Sequence, residues 1–278
     1  MQRRILIIDD HDDLATALDA EFSRLGHLVE IVESRREALA VDEINDYDLV
    51  ITDLDGDQRI IPAAVAPNGS NGGGNSGSNI NSSSKHLSEA AENSEQIKAF
   101  KISGTNFRRD EFNEDELKNL VETTLNYKTK FVDRENAVQT RHEKIEFELP
   151  SSIGLMHSIL EYLMRRVEKV GVVNSETSNL FIALDEAFVN AVKHGNKFDA
   201  KKNVKITAEV STKEALFTIE DEGEGFDVNA IPNPCDPENL FKTSGRGVLF
   251  IYNIMDEVKY NERGNRLTMI KKPETSKK

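Results

Sequence analysis

The stretch that most constrains the fold of this chain is residues 184–196, LDEAFVNAVKHGN, which the spacing of its apolar side chains predicts to be an amphipathic helix. Its apolar face can pack on a sheet. On the opposite face Glu186 and Asn190 lie one turn apart, and His194 follows one turn later. A carboxylate and a carboxamide on one polar face, followed directly by His-Gly-Asn, indicate a functional site on a helix that packs against a sheet.

Length and charge limit the classes of protein to which this chain can belong. Its 278 residues predict two domains, and the net charge of −14 argues against a nucleic-acid surface, since phosphate binding needs a basic face. The single cysteine, Cys235, excludes a disulfide within the chain and a cysteine-based metal site. The apolar run at residues 5–8 is too short for a signal peptide, and no stretch is long enough to span a membrane. A soluble, cytoplasmic protein is therefore expected.

The first part of the chain predicts the start of a doubly wound α/β fold. Apolar runs at residues 4–10 and 47–55, with a third between them, are typical of buried parallel strands, and helical patterns separate them. Because the carboxyl ends of parallel strands meet at one edge, we expect Asp9, Asp10 and Asp53 to converge there. Three carboxylates together favour a cation, and oxygen ligands suit Mg²⁺. The alternative is that these acids merely end their strands in water.

An acid pair after the first strand and an aspartate after the third make this region similar to the receiver domains of two-component response regulators. The resemblance implies that Asp9 and Asp10 hold Mg²⁺ and that Asp53 is the phosphoacceptor. It also implies a phosphate-contacting lysine on the last strand, for which Lys101 is the candidate and Lys98 a rival. An upstream histidine kinase would then be a partner. The alternative is a pseudo-receiver that docks partners without chemistry.

The second half of this receiver-like domain, residues 1–127, departs from the family pattern. Residues 68–84 are almost wholly Gly, Asn and Ser, which predicts a disordered loop at 66–90 because such a segment cannot offset its chain entropy by burial. A closing helix follows the loop and the last strand. Charged residues at 128–143 then predict a linker helix. It is too short for the dimerisation helices of a sensor histidine kinase, so we do not expect His142 to be a phosphoacceptor.

The second domain, residues 144–273, combines helices with alternating strands and predicts an α+β two-layer sandwich, followed by a tail at 274–278. Two glycine-rich turns accompany the helix at 184–196. The first is DEGEGFD at 221–227, and the second is SGRG at 244–247, which opens another helix. Glycines let backbone N–H groups approach phosphates, and a helix N-terminus adds its dipole. The three segments together indicate a nucleotide site.

The residue types in these segments suit nucleotide chemistry. Asp221 has the acceptor that a purine amino group needs, and Asn190 offers an uncharged oxygen to a Mg²⁺ ion that already carries phosphate oxygens. Glu186 is then the remaining carboxylate and a candidate general base for a hydroxyl or a water. His194 either caps the helix end or contacts a phosphate.

The ordered set EAFVNAVKHGN, DEGEGFD, SGRGVLFIYNIMDEV and GNRLTMIKK resembles the GHKL ATPase superfamily (the Bergerat fold) over residues 144–272. Within that superfamily it resembles the anti-sigma-factor serine kinases. The resemblance implies ATP and Mg²⁺ as cofactors and a short lid at 228–243. It implies that Glu186 is the catalytic base and Asn190 the Mg²⁺ ligand. The implied nucleotide contacts are Asp221, Gly223, Gly225, Gly245 and Gly247, with His194, Asn196 and Arg246 as secondary contacts.

These observations predict an ATP-dependent protein serine/threonine kinase controlled by an N-terminal receiver-like domain. By resemblance, its substrate is an anti-anti-sigma protein of the STAS fold, a sigma factor is a second partner, and the kinase pairs as a homodimer. The alternative function is a non-catalytic, ATP-gated binding module, in which nucleotide sets the choice of partner without phosphoryl transfer. A histidine kinase would require phosphate on His142, and we expect none.

Overall fold

The computed structural model describes residues 1–11, 13–34, 37–38, 44–55, 97–107, 112–133, 142–174, 178–228 and 246–273. Over these residues nine strands form one mixed sheet. No helix in this part of the chain is long and apolar enough to cross a membrane. The predicted loop at 66–90, nearly all of the predicted lid at 228–243 and the tail at 274–278 lie outside the described residues.

The strands are β1 Arg4–Asp9, β2 Leu28–Val32, β3 Leu49–Asp55, β4 Ile97–Ser103, β5 His142–Pro150, β6 Asn203–Ser211, β7 Ala215–Asp221, β8 Glu257–Tyr260 and β9 Arg266–Lys271. Their order across the sheet is β2-β1-β3-β4-β5-β6-β7-β9-β8. The helices are α1 Asp13–Arg24, α2 Glu114–Tyr127, α3 Met156–Val170, α4 Leu180–Val189 and α5 Arg246–Ile254. Two π-helical turns, Lys128–Val132 and Asn190–Gly195, continue α2 and α4.

Strands β1, β2 and β3 are parallel, with β1 in the middle, which confirms the predicted start of a parallel sheet. The prediction that the sheet continues in parallel is wrong at β4, which runs antiparallel to β3. Strand β4 is buried along almost its whole length, and a fully buried strand has the same apolar pattern in either direction. The sequence therefore indicates a central strand here but not its direction.

The two predicted domains share one sheet, because β4 pairs with β5 in parallel through seven residues. One apolar core includes Phe100 of β4, Phe147 of β5 and residues of α1, α2, α3 and α4. The start of the predicted linker helix is helical but buried. Lys128 is 1% exposed and Val132 is 2% exposed, so this turn is part of the core although its charge suggested solvent. The boundaries at 127 and 144 stay predictions.

The predicted apolar face of residues 184–196 is confirmed. Leu184, Ala187, Phe188 and Ala191 are each at most 6% exposed, and they belong to the core between the sheet and the helices. Helix α3 precedes α4 and ends at Gly171, whose φ of 85° lets its N–H reach the carbonyl oxygens of the last helical turn. The two helices and the sheet thus hold the polar face of α4 toward the ends of β7 and β9.

Candidate functional site

A cavity of about 300 Å³ lies where α4, the turn after β7 and the β8–β9 hairpin meet. Its walls include Asn190 and His194 of the first motif and Asp221 and Gly225 of the second. Val248 of α5 also lines it, next to the third motif. The structure therefore brings together three segments that are far apart in the sequence.

The end of the first motif is a π-helix, where the sequence predicts regular α-helix. Helix α4 ends at Val189, and residues Asn190–Gly195 form the wider turn. The amide of Asn190 donates to the carbonyl oxygens of both Ala187 and Glu186. Asn190 and His194 nevertheless both line the cavity. π-Helical turns inside α-helices are rare and are frequent at functional sites, which fits this position.

Glu186 lies directly against the third motif. A Cβ placed on Gly247 would fall 1.6 Å from Oε1 of Glu186, so the carboxylate would have to move to make room for a side chain there. Gly247 is the second residue of α5, so the carboxylate sits at the N-terminal end of that helix. The predicted nucleotide contact Gly245 lies outside the described residues. Arg246 begins α5, and its side chain is also outside the described part of the chain.

Asp221 is the last residue of β7 and is 9% exposed. Its Oδ1 accepts a hydrogen bond of 2.8 Å from the amide of Gly223. Burial raises the pKa of this carboxyl above its ordinary value. Its neighbour on the other side is Gly195, where a Cβ would fall 2.3 Å from Cγ of Asp221. The carboxylate is thus enclosed by backbone and presents a buried acceptor to the cavity.

The second motif is bound to the β8–β9 hairpin by two glycines with positive φ. Gly225 has φ +77°, and a Cβ there would fall 1.9 Å from the carbonyl oxygen of Arg263. Gly264 has φ +76°, and a Cβ there would fall 2.3 Å from the carbonyl oxygen of Phe226. The amide of Phe226 donates to the Arg263 carbonyl, and the Arg263 guanidinium donates to the Gly223 carbonyl. Only glycine permits this contact between two turns.

Sequence reasoning missed the hairpin's share of the site. Asn265 donates from Nδ2 to the Asp221 carbonyl oxygen at 2.7 Å, and its own carbonyl accepts from the Asp221 amide. The rings of Phe226 and Tyr260 pack edge to face, with centroids 5.2 Å apart, and both line the cavity. Burial, with smaller effects of Tyr252 and Glu186, raises the pKa of Tyr260 to about 12. The sequence around Gly264 and Asn265 does not indicate the surface on which this turn packs.

Asn196, predicted to be a secondary ATP contact, has a structural role in this fold. Its side chain is fully buried and all of it is used inside the protein. Nδ2 donates to Oγ of Ser151 and to the carbonyl oxygen of Asn203, and Oδ1 accepts from the amide of Glu222. Asn196 therefore joins the end of the first motif to the second motif and to β6. It positions the site and does not face the cavity.

Asp9 and Asp53 are neighbours across β1 and β3, as predicted, but the side chains of the acids expected to hold Mg²⁺ have separate partners. The carboxylate of Asp9 accepts from the amides of His11, Leu14 and Ala15 and so caps the start of α1. Asp10 accepts from the amide of Asp55. The residues that the structure describes contain no group of three or more His, Cys, Asp or Glu that could hold a metal ion. The geometry of the described residues does not support the predicted magnesium site.

The lysine beside Asp53 is Lys128, not Lys101. Lys101 is the register partner of Thr52, so its side chain lies on the opposite face of the sheet from Asp53. Its Nζ lies 3.2 Å from Oε2 of Glu148. The rival Lys98 pairs with Asp55 at 3.7 Å, and Lys128 contacts Oδ2 of Asp53 at 2.6 Å. Motif spacing could not find Lys128, because it arrives from a helix.

His142 is the first residue of strand β5, paired with Ile97 of β4 and Ser211 of β6. A phosphoaccepting histidine of a sensor kinase would lie on a helix. That His142 takes no phosphate stays a prediction.

The C-terminal half of the chain is similar to proteins of known function. Residues 149–271 match the family model of the histidine kinase-like ATPase domain, so the fold and the cavity define an ATPase domain of that class. The serine-protein kinase RsbW of Staphylococcus epidermidis is 30% identical over 142 residues, which cover 48% of this chain and 89% of that protein. RsbW of Staphylococcus aureus strain bovine RF122 / ET3-1 is 30% identical over 144 residues, with the same coverage, and RsbW of strain JH9 is 28% identical over 142 residues.

The chain belongs to this family of serine-protein kinases, and it is a protein serine/threonine kinase. The family match begins at residue 149. The N-terminal half, for which the sequence predicts a receiver-like domain, lies outside it.

Proposed function

We propose that this chain transfers the γ-phosphoryl group of ATP to a serine hydroxyl of an anti-anti-sigma protein of the STAS fold. The observation that carries the proposal is the position of Glu186. Its carboxylate touches Gly247 at the start of α5, and its helix continues directly into the turn whose Asn190 and His194 line the cavity. A general base must lie within hydrogen-bond reach of the hydroxyl that it deprotonates, and the mouth of a nucleotide cavity is where such a hydroxyl can enter.

The cavity residues fit ATP. Asp221 offers a buried carboxylate acceptor for a purine amino group, and Gly225 lines the cavity without a side chain that would keep a flat ring away. Phe226 and Tyr260 provide an aromatic wall. At the other end, the N-terminus of α5 favours the negative charge of phosphates. The carboxamide of Asn190 would hold Mg²⁺, which neutralises phosphate charge when it is bound.

The reaction needs one proton acceptor. The partner's serine oxygen forms a bond to the γ-phosphorus, the bond from that phosphorus to the β-γ bridging oxygen breaks, and ADP leaves. The serine proton goes to Glu186. Positioning of the two reactants in one site supplies much of the rate enhancement for such a transfer.

The resemblance to anti-sigma-factor serine kinases supports the choice of partners. A STAS protein would receive the phosphate, and a sigma factor would be held by the same kinase. The burial of Asp53 argues against a phosphate-accepting role. We therefore assign the N-terminal half a docking role without phosphoryl chemistry.

The test is incubation with γ-labelled ATP, Mg²⁺ and candidate STAS proteins from the native cell. We expect label on a STAS serine, and we expect Glu186→Gln to lose transfer by about 10²–10⁴-fold while it still binds ATP. Glu168→Gln, at an exposed position of α3, is the matched control and should keep full transfer. ATP binding without label on any partner would instead support the ATP-gated binding module.

A further inference from the structure

Asp53 lies in a chain of buried charges that crosses from the N-terminal half to the kinase half. Its Oδ2 lies 2.6 Å from Nζ of Lys128, which also lies 3.7 Å from Asp133. Arg166 of α3 pairs with Asp133 at 3.0 Å and binds the carboxylate of Glu143 on β5 with two nitrogens. Each of the five side chains is at most 7% exposed. We name these five residues the ionic chain.

Lys128 keeps its charge in the folded protein. Burial alone would lower the pKa of Lys128, but the carboxylates of Asp53 and Asp133 outweigh it, and the pKa lies above its ordinary value. The Lys128 ammonium also lies 4.7 Å from the ring centroid of Phe100, the residue paired with Asp53 across β3 and β4. Lys128 is therefore a charged group fixed between an aromatic ring and two carboxylates.

We infer that Asp53 is a structural anion of this chain and not a phosphoacceptor, and that the ionic chain fixes the N-terminal half to the kinase half as a permanent part of the enzyme. Asp53 is 3% exposed, so a phosphodonor cannot reach it in this conformation. Its Oδ2 is held by Lys128, and its Oδ1 is buried without a hydrogen-bond partner among the described residues.

The charge balance of the ionic chain opposes phosphorylation. Three carboxylates face two cations, so the group already has one negative charge in excess. Phosphorylation would replace the single negative charge of Asp53 by the charge of a phosphoryl group, about −1.5 to −2, and so increase the excess at a site that water does not reach. The continuous sheet agrees with a fixed arrangement, because β4 pairs with β3 on one side and with β5 on the other.

The first experiment exposes the full-length protein to acetyl phosphate and Mg²⁺ and measures its intact mass, with an active receiver protein as the positive control. We expect no phosphoryl adduct and no change in kinase rate. An adduct on the wild-type protein that disappears in Asp53→Asn would overturn the inference.

The second experiment measures thermal unfolding of three variants. Removing one member of a buried ion pair leaves an unpaired charge, so Lys128→Met should lower Tm on the order of 10 °C. Asp53→Asn should lower Tm in the wild-type protein but raise it when added to Lys128→Met, because it removes the charge left unpaired. Equal effects of Asp53→Asn in both backgrounds would contradict the ionic chain.

The control is Glu257→Gln, which removes the exposed pair between Glu257 and Lys272, whose side chains are 57% and 51% exposed. Exposed pairs contribute little, so its Tm should change by less than about 2 °C. If the buried variants fail to fold, the labelling of the wild-type protein still decides whether Asp53 accepts phosphate.

Discussion

The carboxylate of Glu186 lies so close to Gly247 that a Cβ on the glycine would fall 1.6 Å from Oε1. This contact joins the first motif to the third and fixes the distance between α4 and the start of α5. The two helices pack on each other with Ile251 of α5 fully buried, so neither can move away easily. The absence of a side chain at 247 is therefore a geometric requirement for the place of the base.

Gly247→Ala is expected to displace the Glu186 carboxylate. A displacement of about 1 Å can cost on the order of 10²-fold in rate, and we expect a loss of at least that size in transfer to the partner. The measurement is single-turnover phosphoryl transfer beside ATP binding by calorimetry. The control is Asn253→Ala, which lies on the exposed side of the same helix. Unchanged transfer in Gly247→Ala would show that the contact has no catalytic role.

Gly225→Ala should abolish the contact between the second motif and the β8–β9 hairpin. The new methyl group would fall 1.9 Å from the Arg263 carbonyl oxygen, and φ at this position is +77°. We expect a loss of ATP affinity and a lower Tm, since both backbone turns must move. Nucleotide binding and thermal unfolding are the two measurements.

Gly26→Ala is the control that separates the backbone strain of Gly225→Ala from its steric collision. Gly26 has φ +88°, but a Cβ there meets nothing within 4 Å. The substitution should therefore cost only the left-handed strain of about 1–2 kcal/mol and leave ATP affinity unchanged. If Gly225→Ala proves no worse than Gly26→Ala, the close approach of the hairpin is unimportant.

Much of this site could be predicted from the sequence because its motifs are local. Helical spacing placed Glu186 and Asn190 on one face, and glycine positions marked the turn after Asp221. Residues that act through tertiary contact could not be found in this way. Asn265 reaches Asp221 from the turn between β8 and β9, and nothing in its own neighbourhood indicates that contact.

The contacts of the charged residues in the N-terminal half could not be predicted from the sequence either. The pattern of strands that end in acids predicted the parallel pairing of β1, β2 and β3, but not which groups those acids contact. Asp9 turns back to cap its own following helix, and Asp53 pairs with Lys128 from α2's continuation. A charged residue in a sequence usually indicates a solvent-exposed side chain. A buried ion pair is the exception.

Asn196→Ala should destabilise the protein and the nucleotide site together. It removes the two hydrogen bonds that Nδ2 donates to Ser151 and to the Asn203 carbonyl and the one that Oδ1 accepts from the Glu222 amide. We expect a loss of roughly 2–5 kcal/mol in the free energy of unfolding. Denaturant unfolding measures it, and the exposed Asn253→Ala is again the control. A loss of ATP affinity with unchanged stability would instead support a direct contact with ATP.

Asp221→Asn should stabilise the nucleotide-free protein while it weakens ATP binding. Burial raises the pKa of Asp221 above its ordinary value of 3.8, so the folded state holds the proton more tightly than the unfolded state. Stability from this group is therefore complete below that ordinary value and is lost as pH rises through the folded pKa. The asparagine side chain does not titrate, and its oxygen can still accept the hydrogen bond from the Gly223 amide.

The Tm of Asp221→Asn minus that of the wild-type protein should accordingly rise as pH increases through the raised pKa of Asp221 and then level off above it. Other titrating groups are common to both proteins and cancel in this difference. ATP affinity should fall about 10–100-fold, the usual effect of losing a charged hydrogen-bond partner. If the difference in Tm does not change with pH, then burial of the Asp221 carboxylate does not lower the stability of the folded protein.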